Sequence, residues 1–204
     1  LMRSSAASDV YKRQIKNLVK RYAKIPIEEE ILGQLIDLGE FVDFPAGDLI
    51  VAAGDEENKL YVLVNGLIRK YYLDYQGNDI THQFLETGQI FSTQHVVFSG
   101  RVMCNFEAVE PCRLVCFDYA QVQKLMLEAF SLSQVYIGIL EETLRVKLVR
   151  ETALLTESAT ERYVKMKAEI PDIDQRVSHA HIASYIGVTP VSLSRIRRTL
   201  REEN

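Results

Sequence analysis

The 204-residue chain has no tryptophan and is sparing with three residue types that usually build sites or staples: five prolines, four histidines and three cysteines. Cys104, Cys112 and Cys116 are an odd number with no CxxC spacing, which argues against a disulfide framework or a thiolate zinc site; the reducing cytoplasm is the expected location. His82 and His95 stand alone, and His179 and His181 fall in a stretch with helical punctuation. A metal-dependent β-sheet enzyme needs clustered histidines and a carboxylate on neighbouring strands, and no Ser-His-Asp or Cys-His set has a recognisable context. The expectation is therefore no metal, no cofactor and no enzymatic activity. No apolar run approaches the ~18 residues of a membrane span, and no secretory signal opens the sequence, so no membrane partner is expected. Lysine and arginine are missing from Glu28 to Glu57, which carries ten acids. With a net charge of −4, indiscriminate nucleic-acid binding by the whole surface is excluded, and attention moves to where the basic charge is concentrated.

That place is the C-terminal end. Ser178 to Leu200 reads SHAHIASYIGVTPVSLSRIRRTL. Ser178 is an N-cap for a first helix carrying Ile182, Ala183 and Ile186, and Gly187 ends it where a positive φ is cheap for glycine. Thr189 caps a second helix, with Pro190 at its first position, where the missing N–H costs nothing. At about 100° per residue, Leu193, Ile196 and Leu200 share one face, while Val191, Ser194, Arg195 and Arg198 share the other, flanked by Ser192. Four arginines and no acid lie between Pro190 and Arg201. A short basic helix after a glycine turn is what a helix-turn-helix places in the DNA major groove. The plain alternative is a helical hairpin with a solvated basic face.

Residues 1–14 (LMRSSAASDVYKRQ) look foreign to the rest of the chain and read as a non-native or disordered leader. Two short amphipathic helices come next, with Leu18, Val19 and Tyr22, then Ile31, Leu32, Leu35 and Ile36. From Phe41 to Phe117 the texture is short β-type runs between turn residues. The runs are Phe41–Phe44, Leu49–Ala52, Leu60–Val64, Leu67–Asp74, Ile80–Leu85, Ile90-Phe91, Val102–Val109 and Arg113–Phe117, a small sandwich or barrel. Asn65-Gly66 reads as the two-residue turn of a hairpin. After Asp118 the apolar period lengthens to between three and four. Tyr119–Leu127 makes a short helix and Ser131 opens a long one, whose seam of Leu132, Tyr136, Ile139, Thr143 and Val146 suits a twin helix, and hence a homodimer. Ser158 and Glu161 form a capping box for the next helix, which Pro171 stops.

With these pieces in order, the chain resembles the Crp/Fnr family of bacterial transcription regulators from Ile15 to Asn204, most specifically over Phe44–Thr81 and His181–Leu200. The resemblance implies an α+β chain with three parts: a double-stranded, jelly-roll-like β-roll sensor domain (15–130), a dimerisation helix (131–156) and a winged-helix-like helix-turn-helix domain (157–204). It implies a homodimer on double-stranded DNA with a two-fold operator, RNA polymerase as a further partner, and a recognition helix at 190–202. Carried over by position, Pro190, Val191 and Arg195 would read bases, and only Arg195 matches the common pattern. Thr189, Ser192, Ser194 and Arg198 would meet phosphate or flank it.

The sensor departs from the family pattern. Members that bind cyclic nucleotides use Gly-Glu-Leu followed by Arg-Ser; here the first element reads Phe91-Ser92-Thr93-Gln94 and the second Val102-Met103, with Arg101 one position early. The positions that contact the purine from the long helix hold Lys147 and Leu148, which also differ. The expected subgroup is one lacking the cyclic-AMP phosphate-binding residues. Ser92, Thr93, Gln94, Arg101, Met103 and Lys147 would line a pocket for an unidentified effector, unless side chains fill it. A second functional class is a small-molecule-binding regulatory module acting on a protein partner, which has no use for Arg195 and Arg198 on a polar helix face.

Overall fold

The structure, a computed structural model, describes residues 5–92 and 101–202. Eight strands form two antiparallel four-stranded sheets packed face to face. One has the order β1 (Glu40–Phe44), β8 (Cys112–Asp118), β3 (Lys59–Asn65), β6 (Ile90–Ser92). The other has the order β2 (Leu49–Val51), β7 (Asn105–Ala108), β4 (Leu67–Leu73), β5 (Asp79–Glu86). Ile68, Leu85, Phe91, Phe106, Leu114 and their neighbours fill the space between the sheets.

Asn65-Gly66 does not make the expected hairpin. β3 pairs with β8 and β6, β4 pairs with β5 and β7, and Gly66 is the corner at which the chain changes sheets. Its φ of 113° and its closeness to Cys112 and Pro111 explain the glycine: a Cβ here would lie 2.6 Å from Cys112 Sγ and 2.9 Å from the Pro111 carbonyl oxygen. The hairpin of the second sheet is β4–β5, whose turn is closed by Asp74 accepting from the backbone N–H groups of Gln76 and Asn78.

Helices cover both sheets from outside. α1 (Ser5–Tyr22), α2 (Glu29–Asp37), α3 (Tyr119–Glu128) and the first turns of α4 (Phe130–Thr156) pack on the β1-β8-β3-β6 sheet through Ile15, Leu18, Leu35, Val62, Val115 and Leu132. The boundary expected after residue 14 falls inside α1, and Gln14 Nε2 donates to the Val64 carbonyl at 3.1 Å. Gly138 lets α1 close on α4, since a Cβ there would meet the Tyr22 carbonyl oxygen at 2.8 Å. On the other sheet, Leu67 and Phe84 are covered by α5 (Ala159–Glu169), α6 (Ile173–Arg176), α7 (His179–Ile186) and α8 (Pro190–Glu202). Ser158 and Glu161 close the expected capping box. Among the described residues, 157–202 contains helices and no strand. Nor is any described helix long and apolar enough to cross a membrane.

Gly66→Ala combines backbone strain with a steric conflict and is expected to cost about 2–4 kcal/mol. Gly77→Ala, also at positive φ but with open space around its Cβ, is expected to cost about 1–2 kcal/mol. Urea denaturation of the two variants measures the difference.

Candidate nucleic-acid interface and its attachment to the sheet

The turn between α7 and α8 is built as its residues require. Ser178 Oγ accepts from the His181 N–H at 3.2 Å, Gly187 is left-handed at φ 75°, and Thr189 Oγ1 accepts from the Ser192 N–H at 3.2 Å. Ile182, Ala183, Ile186 and Leu193 are buried and fix the two helices to each other. Val191, Ser194, Arg195 and Arg198 are exposed on α8, as are Thr189 and Pro190 at its start; Ser192 is half-buried. Two hydroxyls are engaged locally: Thr189 and Ser192 bond to each other at 3.0 Å, and Ser194 Oγ donates to the Pro190 carbonyl at 3.0 Å. Arg197 turns the opposite way. Its guanidinium bonds Asp174, His179 and, at 3.0 Å, Tyr163 Oη, so it ties α8 to α5 and α6 and leaves Arg195, Arg198 and Arg201 as the outward cations of the helix.

This helical unit is anchored to β5. Ser184 of α7 accepts from the Thr81 N–H at 2.9 Å and donates to the Asp79 carbonyl at 3.2 Å, satisfying backbone groups on an edge strand. Arg150 of α4 donates to the carbonyls of Tyr185 (2.8 Å) and Thr81 (3.3 Å) and stacks on the Tyr185 ring at 4.1 Å. Arg162 donates to the Ile186 carbonyl at 2.9 Å, and Arg176 pairs with Glu110 at 2.7 Å. Behind the contact lies Arg69, only 3% exposed, held by Glu107 (2.7 Å), Asp79 (2.9 Å) and Thr81 Oγ1 (3.3 Å).

Of the residues expected to line an effector pocket, Arg101, Met103 and Lys147 are exposed. Arg101 is exposed, pairs with Glu56 at 3.2 Å and reaches the Gly54 carbonyl; Met103 is 60% exposed. Val102, between them, is the one that turns inward, as alternation along an extended segment demands. Ser92 is half-buried at the end of β6, Lys147 is exposed on α4, and Thr93 and Gln94 lie outside the described residues. Of the expected dimer seam, Leu132 is consumed by the protomer's own core and Ile139 packs against the same cluster. The Tyr136 ring meets that of Tyr119 at a tilt, with centroids 6.0 Å apart, and is half-buried like Val146, whereas Thr143 is exposed with its hydroxyl bonded to the Ile139 carbonyl. Among the apolar residues that α4 does present, Ile137, Leu140, Leu144 and Leu148 are each 41–56% exposed.

Sequence reasoning passed over Lys70, His82 and Arg150. Lys70 is half-buried between the sheets, and burial lowers its pKa. His82 is the extra residue of a bulge in β5, where Lys70 pairs with Gln83 and Tyr71 with Thr81. Burial, reinforced by the charges of Lys70, Arg150 and Lys147, holds its imidazole down to about 4. The available signal was the run Arg69-Lys70 within a strand, because adjacent residues there face opposite ways and one charge must point inward.

Residues 41–129 match the cyclic nucleotide-binding domain family. The chain is similar to the global nitrogen regulator of Synechococcus elongatus, at 26% identity over 195 residues, covering 86% of this chain and 87% of that protein. Among solved structures it is similar to FixK2 from Bradyrhizobium japonicum, with a TM-score of 0.69 and 18% identity over 81% of this chain and 85% of that one. It is also similar to the c-di-GMP-responsive global regulator CLP of Xanthomonas campestris, with a TM-score of 0.67 and 16% identity over 86% and 93% of the two chains. The structural likenesses show the fold, and together with the cyclic nucleotide-binding match they support the resemblance to Crp/Fnr-type regulators.

The depressed His82 has a measurable consequence. Between its unfolded pKa of about 6.5 and about 4 in the fold, the unfolded chain binds more protons, so this group's contribution to stability is present above pH 6.5 and is lost as pH falls through that window. His82→Gln is expected to lose less stability than the parent between pH 7 and pH 5 in urea titrations.

Proposed function

We propose that this chain is a homodimeric, sequence-specific DNA-binding transcription regulator, of the kind whose β-roll lacks the residues that grip the phosphate of cyclic AMP. The observation that carries the reading is the orientation of α8. Its apolar side and Arg197 are turned into the C-terminal core, while Val191, Arg195 and Arg198 stand together on its free face. A helix built this way enters a major groove, with α7 crossing the backbone beside it. Arg195 has the fork that matches guanine O6 and N7, and Val191, 62% exposed, offers an apolar surface to a thymine methyl; Pro190 lies beside them. Thr189, Ser192, Ser194 and Arg198 serve phosphate or flanking contacts. The relatives named as global regulators support the same reading.

Dimerisation falls to α4, through the part of its apolar seam that the protomer leaves uncovered. Ile137, Leu140, Leu144 and Leu148 form a stripe at helical spacing on the side left open by the protomer. A twin helix there would give a two-fold molecule, place two α8 helices for half-sites about 34 Å apart, and pair with a two-fold operator. The cytoplasm, and RNA polymerase as a further partner, belong to this reading, as does the division into roll, dimerisation helix and C-terminal DNA-binding unit.

Selection of bound sequences from random DNA is expected to return a two-fold site. Arg195→Ala is then expected to lose about 1–3 kcal/mol of discrimination at one base position per half-site in competition gel shifts. Unchanged specificity would remove Arg195 from the readout. Leu144→Asp combined with Leu148→Asp is expected to turn a dimer into a monomer in sedimentation velocity at micromolar concentration. An intact dimer would place the interface elsewhere.

A further inference from the structure

The basic charge of α8 has a counterpart near the other end of the chain. From Lys12 to Lys24 the sequence reads KRQIKNLVKRYAK, six cations and no acid, in a chain whose net charge is −4. α1 buries its apolar side through Ile15, Leu18 and Val19. That leaves a row of lysines at helical spacing outside: Lys16, Lys20 and, just past the end of the helix, Lys24. Between this row and the start of α2 lies a groove of about 430 Å³, a volume within the range of small-molecule sites. Its floor is apolar, formed by Val19, Ala23, Ile25, Ile27 and Leu32. Among the described residues, no strand and no part of α4 lines it, so it stands apart from the interior of the β-roll.

The three lysines are answered unequally. Lys16 bridges to Glu29 of α2 at 3.1 Å, and Lys24 turns to Glu141 of α4 at 2.7 Å. Lys20, between them, lines the groove and is exposed. Among the described residues no carboxylate pairs with it. On the floor, Ile25 of the segment joining the two helices is left 39% exposed. This combination selects among ligands. A small inorganic anion makes no use of the apolar floor, and a neutral apolar molecule makes none of Lys20. Nucleic acid or a strongly acidic peptide meets Glu28, Glu29 and Glu30 at the start of α2, all exposed, and like charge repels a polyanion there. A molecule with one carboxylate and an apolar body suits every feature.

We propose that the groove between α1 and α2 binds a medium-chain monocarboxylate, its carboxylate paired with Lys20 and its alkyl chain laid on Ile25, Ile27 and Leu32. Lys20 lies one helical turn from Lys16 and from Lys24, so both raise the positive potential at its ammonium while each holds its own acid. Its ammonium is at the surface, so pairing it with a carboxylate adds a charge-assisted hydrogen bond for little desolvation, and its methylene stem extends the apolar floor. The ligand's chain covers apolar surface that the protomer leaves open to water. The site is independent of the reading of α7 and α8 as the DNA-binding unit.

The test is calorimetric titration and thermal denaturation of the full chain with sodium decanoate, kept below micelle formation, against sodium acetate at equal ionic strength. Decanoate at about ten times its Kd is expected to raise Tm by roughly 3–5 °C relative to acetate, which carries the charge without the chain. Lys20→Gln and Ile25→Ser change exposed positions and are expected to keep the parent's Tm in acetate. Lys20→Gln is expected to weaken decanoate about tenfold, and Ile25→Ser to weaken it about threefold. A parent that takes up no decanoate, or either variant binding it as the parent does, overturns the proposal. An oligoglutamate peptide that stabilises the parent more than decanoate, with the same dependence on Lys20, overturns it in favour of an acidic protein segment. Loss of self-association in Lys20→Gln by sedimentation velocity overturns it in favour of a second copy of the chain.

Discussion

The placement of the C-terminal helices depends on a narrow contact between an edge strand and one helix. Ser184 bonds the Thr81 N–H and the Asp79 carbonyl, and Arg150 bonds the Thr81 and Tyr185 carbonyls. These are a few hydrogen bonds, each of about 1 kcal/mol net, beside a modest apolar contact through Leu67, Phe84 and Tyr185. Such a hold is comparable to what the binding of a small ligand supplies at 100 times its Kd, about 2.7 kcal/mol. It can therefore define one arrangement of α7 and α8 and still be shifted by a ligand that favours another. Arg69 keeps the strand side of the contact stiff, because its two carboxylates and Thr81 bind β4, β5 and β7 together just beneath Ser184.

α4 joins the parts by changing partners along its length. Its first turns bury Leu132 and Val135 against α1, α3 and the sheet, and Gly138 admits the α1 backbone. Beyond that point, Leu144, Leu148 and Leu155 are uncovered, while Arg150 turns to the β5–α7 contact. One helix thus presents an inward face, an outward face and a clamp in succession.

Much of this was legible in the sequence wherever local chemistry decides the outcome. Ser178, Gly187 and Thr189 announce the α7–α8 turn because caps and left-handed corners are properties of a few adjacent residues, and the Ser158–Glu161 box is of the same kind. Alternating runs found the strands for the same reason. What failed were inferences that needed a distant partner. Asn65-Gly66 has the chemistry of a hairpin, but the next strand pairs with β5 and β7 in the other sheet, and Cys112 and Pro111, more than forty residues away, crowd the corner. The heptads of α4 show that a stripe is covered and not by what, so Leu132 reads as a dimer residue although the chain's own helices bury it. Positions carried over from a resemblance do not say which way Arg101 turns, and Glu56 and the Gly54 carbonyl hold it at the surface.

The two charges on β4 show where reading a sequence stops and reading a structure begins. Alternation requires that Arg69 and Lys70 part company, and it cannot tell which will be answered. The answer to Arg69 comes from Asp79 and Glu107, ten and thirty-eight residues away. Lys70 looks onto rings, a protonated thiol and other bases. An unpaired cation at that depth works against the stability of its own fold, and the bulge that brings His82 to the same place adds a second polar group without a partner. Features of this kind persist where they serve something other than stability.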